Sequence, residues 1–353
     1  TGAQRDGTIA RETRFPKDVN EWVVSGPHFY VGNPFNKTPN EGCKHNQDYS
    51  PIDLTVIPDD YLPRTNFVPA CSPGEYRKRT PEWRGRPVTE FYRHANRQMV
   101  APTGERTHIP ALLPPGCAHV LSAVSVAFHS TEDLLNLLSM GVSLPADFFV
   151  KASGRAHVLG ETLGLLPMAQ GPRARLQRAR CLRLNSVTRP YAELWREHYV
   201  EATSCDAPTK PDPRAGTYAH LTPEWTWDTP LRTPFERRQA LVELDALAAL
   251  SLDMTLDELL LIYRVQFPVL QQYERETFYD QRGKIVFTVN RGLSGVGVTR
   301  AQRGEIQHAQ AGDTLPEWAV DQQGAFVAPF DACDREADMA QAYEEFRRRI
   351  AAL

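Results

Sequence analysis

The chain has 353 residues, of which 41% are hydrophobic and 24% charged, with a formal net charge of −3; this is the profile of an ordinary globular protein of about two domains. No apolar run approaches the roughly 20 residues needed to cross a bilayer and no basic-then-apolar leader opens the chain, so no membrane partner is expected and the expected compartment is the cytoplasm. Cys43, Cys71, Cys117, Cys181, Cys205 and Cys333 form no Cys-x-x-Cys pair, which predicts reduced, packed thiols rather than a secreted disulfide framework, and Cys43-Lys44-His45 offers two metal ligands where a structural zinc site wants four.

The first two hundred residues are dense in proline and glycine. Short apolar runs at Glu21–Val31, Ile52–Ile57, Ile109–Leu113, Val120–Phe128 and Asp147–Lys151, each bounded by turn formers, read as strands of a loop-rich α+β domain. Helices are interleaved. Thr89–Met99 places Phe91, Tyr92, Ala95 and Met99 near helical spacing, which would set Arg93 and Arg97 on a shared face. Ser130 is a candidate cap for a helix through Leu134-Leu135-Asn136-Leu137-Leu138, with Asp133 at the capping-box position and Gly141 as the stop. A further helix is expected from Arg173 to about His198, bent or broken at Pro190, its arginines on the wet side.

Residues 202–234 carry many prolines and little periodicity, the composition of a linker, although Trp225-Thr226-Trp227 implies that part of it docks. Pro234–Leu250 is the clearest helix. Thr255 caps a second that stops before Pro268, Val269–Tyr279 suits a third, Lys284–Val289 reads as a strand, and Asp338–Ala352 as a closing helix. The resulting expectation is an α+β chain: a mixed recognition domain over 1–201, a Pro-rich linker over 202–234, and a mainly helical domain with a short β-hairpin over 235–353. Gly292-Leu293-Ser294-Gly295-Val296-Gly297 follows a strand, but the segment after it lacks an apolar helical face and no acid stands at the required distance, so a turn is preferred to a nucleotide loop.

Charge is unevenly placed. Between Arg77 and Arg106 lie Arg77, Lys78, Arg79, Arg84, Arg86, Arg93, Arg97 and Arg106 against Glu82, Glu90 and Glu105, with Trp83, Phe91 and Tyr92 interleaved; such a cluster suits a groove that tracks phosphates. Between Gly171 and Pro190 stand Arg173, Arg175, Arg178, Arg180, Arg183 and Arg189 without an acid, facing either phosphate or the late acidic stretches Glu236–Glu258 and Asp331–Glu345. Asn33, Asn36 and Lys37 in Val31-Gly32-Asn33-Pro34-Phe35-Asn36-Lys37 are candidate base readers, because Asn pairs with adenine N6 and N7 and Lys donates to guanine or phosphate; the same string is also a common turn. Arg64 and Asn66 sit on a loop edge beside a proline.

Several strings carry a family likeness: Trp22-Val23-Val24-Ser25-Gly26-Pro27-His28-Phe29-Tyr30 running into Asn33-Pro34-Phe35, then Asp59-Asp60-Tyr61-Leu62-Pro63-Arg64-Thr65-Asn66-Phe67-Val68-Pro69, Thr103-Gly104-Glu105-Arg106-Thr107, Phe148-Phe149-Val150-Lys151, Ile262-Tyr263-Arg264-Val265-Gln266-Phe267-Pro268 and Gly283-Lys284-Ile285-Val286-Phe287-Thr288. Together they span nearly the whole chain, which resembles the target-recognition region of large single-chain adenine-N6 DNA methyltransferases, the type IIG-like enzymes of restriction-modification and phage-defence systems. The resemblance implies a double-stranded DNA partner contacted by the residues above together with Lys151, Arg173 and Arg175. It also implies a preceding methyltransferase domain of the same parent polypeptide that holds S-adenosylmethionine and the catalytic motif, with no catalytic residue, metal or cofactor in this chain. Asn33-Pro34-Phe35 lacks the second proline of the family's Asn-Pro-Pro-aromatic string, and the thirty-odd residues before it are too few for a cofactor-binding strand, turn and helix. An opening Thr1 rather than Met suits an excised fragment. Two alternatives stand: a circularly ordered amino-methyltransferase with Asn33-Pro34-Phe35 as the amine clamp over the Gly292–Gly297 loop, and a protein-interaction module of a phage-defence complex.

Overall fold

Helices begin where the sequence supplies a cap. The computed structural model describes residues 2–45, 47–321 and 324–352, so Thr1 lies outside the described residues. In chain order the helices are α1 Gly2–Arg5, α2 Pro73–Arg79, α3 Thr131–Gly141, α4 Leu144–Ala152, α5 Gly160–Leu163, α6 Gly171–Asn185, α7 Ala192–His198, α8 Pro234–Ser251, α9 Leu256–Gln266, α10 Pro268–Arg275, α11 Arg300–Ile306 and α12 Arg335–Ala351. Ser130 Oγ accepts from Asp133 N at 3.0 Å to start α3, and Thr233–Glu236 and Thr255–Glu258 form capping boxes at α8 and α9. The run expected over 173–198 is two helices. Pro190 lacks the backbone donor a continuous helix needs, and a 3-10 turn, Arg189–Tyr191, separates α6 from α7.

The strands are short and scattered over small sheets, which with the helices makes the chain α+β. A three-stranded antiparallel sheet has Arg93–Arg97 at its centre, flanked by Ala123–Ala127 and Pro110–Leu113. This overturns the helix expected over Thr89–Met99. A separation of four satisfies period 2 as well as period 3.6, so Arg93 and Arg97 do share a face, but it is a face of a strand whose residues are mostly buried. Asp147–Lys151 errs the other way: it belongs to α4, which starts at the Ser143 cap with Pro145 in its first turn. Glu21–Val31 contributes only Val23–Val24 as strand. Ile52–Ile57 is a turn, in which Asp53 Oδ1 accepts from Thr55 N at 2.9 Å while Leu54 and Ile57 are buried. In the C-terminal part Phe278–Tyr279 and Ile285–Phe287 form the antiparallel hairpin.

The main core runs across the boundaries drawn from composition. Trp22, Phe35, Leu112, Leu135, Leu184, Trp195, Tyr218, Leu231 and Leu244 belong to one buried cluster. Residues 202–234 are therefore packed structure rather than tether: Tyr218, Leu221 and Leu231 are buried, Trp225 Nε1 donates to Ser186 O and Trp227 Nε1 to Ile57 O, each at 2.8 Å. Helix α8 packs against α6, α12, α9 and α4. Among the described residues no single helix is long and apolar enough to cross a membrane. The apolar bent pair α3–α4 is core, with Leu135, Leu138, Met140 and Leu144 fully buried.

Neutral histidines are built into this interior. His28 Nε2 donates to Arg64 O at 2.9 Å while Nδ1 accepts from Ser25 N at 3.0 Å, which fixes a neutral tautomer. His94 and His108 are fully buried, their rings near-parallel with centroids 6.0 Å apart. Burial pushes His28 and His94 down to about 4 and holds His108 well below its ordinary value. The unfolded chain takes up these protons near pH 6.5 and the native state only well below it, near 4 for His28 and His94. Stability is thus fully present above pH 6.5 and falls as pH drops through that window, by about 1.4 kcal/mol per pH unit per histidine. Urea midpoints measured from pH 7 to 4 are expected to fall steeply, and more shallowly in His94→Phe; an equal slope in the two proteins would contradict this account.

Candidate nucleic-acid interface

A cleft of about 1640 Å³ lies between the early Asn-Pro turn and the late hairpin. Its first wall is built by a tight turn: Tyr30 N donates to Asn33 O at 2.8 Å and Asn33 N to Tyr30 O at 3.0 Å, with Gly32 at φ +62°, a left-handed conformation that a side chain resists. The turn aims Asn33, Asn36 and Lys37 at the cleft. The opposite wall comes from Arg237 and Arg238 of α8, Glu274 of α10, Lys284, and the loop Asn290–Gly297. Gly297 must be glycine, because at φ +72° an added Cβ would lie 2.3 Å from Val286 O. Glu105 ties the walls together, its Oε2 accepting from Tyr30 Oη and from Asn290 Nδ2, both at 3.0 Å, while burial raises its pKa.

The lining is electropositive. Nine Lys and Arg side chains face it against three acids, in a chain whose net charge is −3. Arg106, Arg238 and Arg335 are compensated by carboxylates. Arg97, Arg232 and Arg237 are held by carbonyl oxygens instead: Arg97 by Gly26 and Phe29, Arg232 by Trp227, Leu54 and Val187, and Arg237 by Leu231, Gly32 and Leu184. Carbonyl partners satisfy the N–H groups without cancelling the charge. Arg237 is accordingly pushed down to about 9, by desolvation and then by Arg232, and Arg232 to about 10, mainly by desolvation. Lys37, half-buried, is lowered by desolvation and by Arg97. An anion in the cleft would relieve what these groups lose by leaving water.

The residues expected from sequence divide into three groups. Asn33, Asn36, Lys37, Arg97 and Arg106 line the cleft, although Arg106 is 4% exposed and engaged with Asp147. Lys78, Arg84 and Arg86 are exposed on α2 and on a hairpin, Glu82–Trp83 paired with Arg86–Pro87, whose tip Arg84-Gly85 has φ of 54° and 73°, the two-residue turn that suits hairpin twist. The guanidinium of Arg86 lies 4.3 Å from the Phe91 ring and that of Arg84 5.7 Å from Trp83. Beside them Arg77 is paired with Glu90, and Arg79 with Glu75 at 2.7 Å.

The rest are structural. Arg93 is buried, donating to Cys117 O and Ser125 Oγ. Asn66 is a satisfied core amide between Thr13, Tyr49 and Cys43. Arg64 lies 4.6 Å over the Phe15 ring. Lys151 donates to Gln266 O, and Arg173 donates to Leu250 O at 2.7 Å and meets Asp253, leaving Arg175 half-exposed. The wet face expected for α6 is also corrected: Arg180 is enclosed by Glu243 and Asp206, and Arg183 donates to Thr229 O, because residues 202–234 and α8 cover that end of the helix. Sequence reading missed Arg232, Arg237 and Arg291 on the cleft. Arg291 has no hydrogen-bond or ion partner among the described residues and is exposed.

The amine-clamp alternative fares unevenly. Asn33 and the Gly292–Gly297 loop do share the cleft, but Phe35 is fully buried, its ring packed on Trp22 at 5.2 Å, Tyr61 at 6.2 Å and Tyr191 at 6.4 Å. No face remains for a base to stack on. Asn33 Oδ1 accepts from Phe35 N at 3.0 Å, the hydrogen bond of an Asx turn.

Compared with known proteins, the chain matches no family model, no curated protein and no solved structure.

Asp147 separates architecture from recognition. Its carboxylate takes Arg106 Nε at 2.5 Å and the backbone N–H groups of Thr107 at 3.0 Å and His108 at 3.2 Å, docking α4 on the Gly104-Glu105-Arg106 strip. Asp147→Ala leaves a buried guanidinium without its carboxylate and is expected to cost about 3–5 kcal/mol in urea unfolding. A cost within about 0.5 kcal/mol of zero would mean that Arg106 is free to serve elsewhere.

Proposed function

We propose that the chain is the sequence-reading module of a site-specific adenine-N6 DNA methyltransferase of restriction-modification or phage-defence type, with double-stranded DNA as its partner. In this reading a separate methyltransferase domain of the same parent polypeptide binds S-adenosylmethionine and performs the transfer. The observation that carries the reading is the cleft, where an excess of positive charge meets two asparagines held at its wall. Phosphate is the anion that such a surface fits along its length, and amides held at fixed positions are the groups that read purine edges.

Binding is two-tiered. Lys78, Arg84 and Arg86, exposed on α2 and the hairpin, neutralise phosphates and set register, as do Lys37 and Arg291 at the cleft. Asn33 and Asn36 supply discrimination. Asn33 keeps its amide N–H groups free of internal partners among the described residues, and Asn36 is steadied by a hydrogen bond from its Nδ2 to Pro27 O at 3.3 Å. Phe35 lends no catalysis here; it is the core residue that holds the turn in place. The protein-interaction alternative is weakened because, of the arginines from Arg173 to Arg183 that it would use, Arg173, Arg178, Arg180 and Arg183 are engaged with other parts of the chain.

The test is duplex binding by fluorescence anisotropy across a salt series and a randomised-site library. Replacing Lys78, Arg84 and Arg86 together with Ala is expected to weaken all duplexes alike and to shallow the slope of log K against log salt by about 0.9 for each phosphate that is no longer neutralised. Asn36→Ala is expected to leave that slope alone and to lose about 1–3 kcal/mol of discrimination at one base position. Equal affinity of the unaltered chain for every duplex sequence would end the reading.

A further inference from the structure

Two large apolar side chains stand in water at the mouth of a positively charged cleft. Met99 is 72% exposed and Leu121 76%, and both line the cleft. They flank one backbone contact. One residue beyond the pairing of Arg97 with Ala123, Gln98 N donates to Ser122 O at 3.1 Å; Leu121 then lies in the turn that Ala123 N closes on Val120 O at 3.0 Å, and Met99 is bridged to His157. The strand below them is rigid: Ala95 and Asn96 are fully buried, and Arg97 donates to Gly26 O and Phe29 O, each at 2.8 Å.

Two large apolar side chains exposed on the lining of one cleft form a patch that a partner can cover. Its surroundings select among partners. Lys37 and Arg97 flank the same cleft and lack carboxylate partners among the described residues, so a cationic protein surface would meet repulsion and an anionic partner is favoured. A base pair step has what the geometry asks for: apolar ring faces a few ångströms inside a rail of phosphates.

We propose that Met99 and Leu121 form an apolar wedge that presses into one base step of bound duplex DNA and bends it. This rests on the DNA-reading function proposed above and adds a position and a mechanical consequence to it. The wedge offsets the cost of unstacking by bringing more of the backbone against the cleft. Arg97 is the positioning residue, since its two carbonyl bonds hold the strand that presents the wedge.

The experiment uses the full chain and a duplex bearing a donor and an acceptor dye at its ends, with 2-aminopurine at successive positions of the preferred site. Met99→Ala/Leu121→Ala removes the wedge. Because both side chains are exposed, the thermal midpoint is expected to stay within about 2 °C of the unaltered chain, which guards against misfolding. The expected result is that the unaltered chain shortens the end-to-end distance and brightens 2-aminopurine at one step, while the double variant does neither, binds about tenfold more weakly and shows a shallower salt slope. Binding by the double variant with unchanged bend and affinity overturns the wedge and leaves DNA reading intact. Failure of the unaltered chain to bind any duplex overturns both.

Discussion

The structure depends on charged groups that α8 carries into the interior. A helix buried on all sides must satisfy every polar side chain it brings along, since an unpaired buried charge costs several kcal/mol. Arg237, Arg238, Glu243 and Asp245 are all nine-tenths buried or more, and each grips a different part of the chain. Asp245 accepts from Leu144 N at the start of α4 and from Arg335 of α12, both at 2.7 Å. Glu243 takes Arg180 of α6 and the backbone of Thr209. Arg238 bridges Glu274 of α10 and Asp338 of α12. Arg237 reaches Gly32 O in the Asn-Pro turn and Leu184 O in α6. One helix thereby locates both walls of the cleft, and the turn bearing Asn33 and Asn36 stands where it does because a guanidinium from two hundred residues away holds its backbone.

This arrangement explains what a linear reading recovers and what it misses. Local chemistry was legible: the Ser130 and Thr255 caps, the break at Pro190, the strand at Ile285–Phe287 and the docking of Trp225 and Trp227 all follow from residues within a turn of the feature. Period is less decisive. Arg93 and Arg97 fit helix and strand alike, and only the pairing with Ala123–Ala127 and Pro110–Leu113 selects strand. Composition was least reliable over 202–234, where proline-rich sequence is held by buried anchors such as Tyr218 and Leu231.

The site was legible in part for the same reason. A run of arginines counts equally whether the side chains end in water, on a carboxylate or on a carbonyl. Of the cluster from Arg77 to Arg106, Lys78, Arg84 and Arg86 are exposed, while Arg93 and Arg106 are buried inside the fold. Conversely Arg232 and Arg237 stand outside both arginine-rich runs, at the start of a stretch read for its acids, Glu236–Glu258. Both lie in the interior, yet they border the cleft from behind.

The three fates of arginine also decide the field. A guanidinium beside a carboxylate leaves a dipole, whose potential dies within a few ångströms; one held by carbonyl oxygens keeps its net charge. Arg97, Arg232 and Arg237 are of the second kind, with low-dielectric protein behind them and an open cleft in front. Field lines that cannot spread into the interior emerge through the opening. The cleft can therefore be positive although the chain as a whole is not, and it is positive where Asn33 and Asn36 are fixed. In the proposed DNA-reading function, long-range attraction and short-range reading would arise from the same contacts, because Arg237, which keeps the charge, also holds the carbonyl of Gly32 that shapes the turn bearing Asn33 and Asn36.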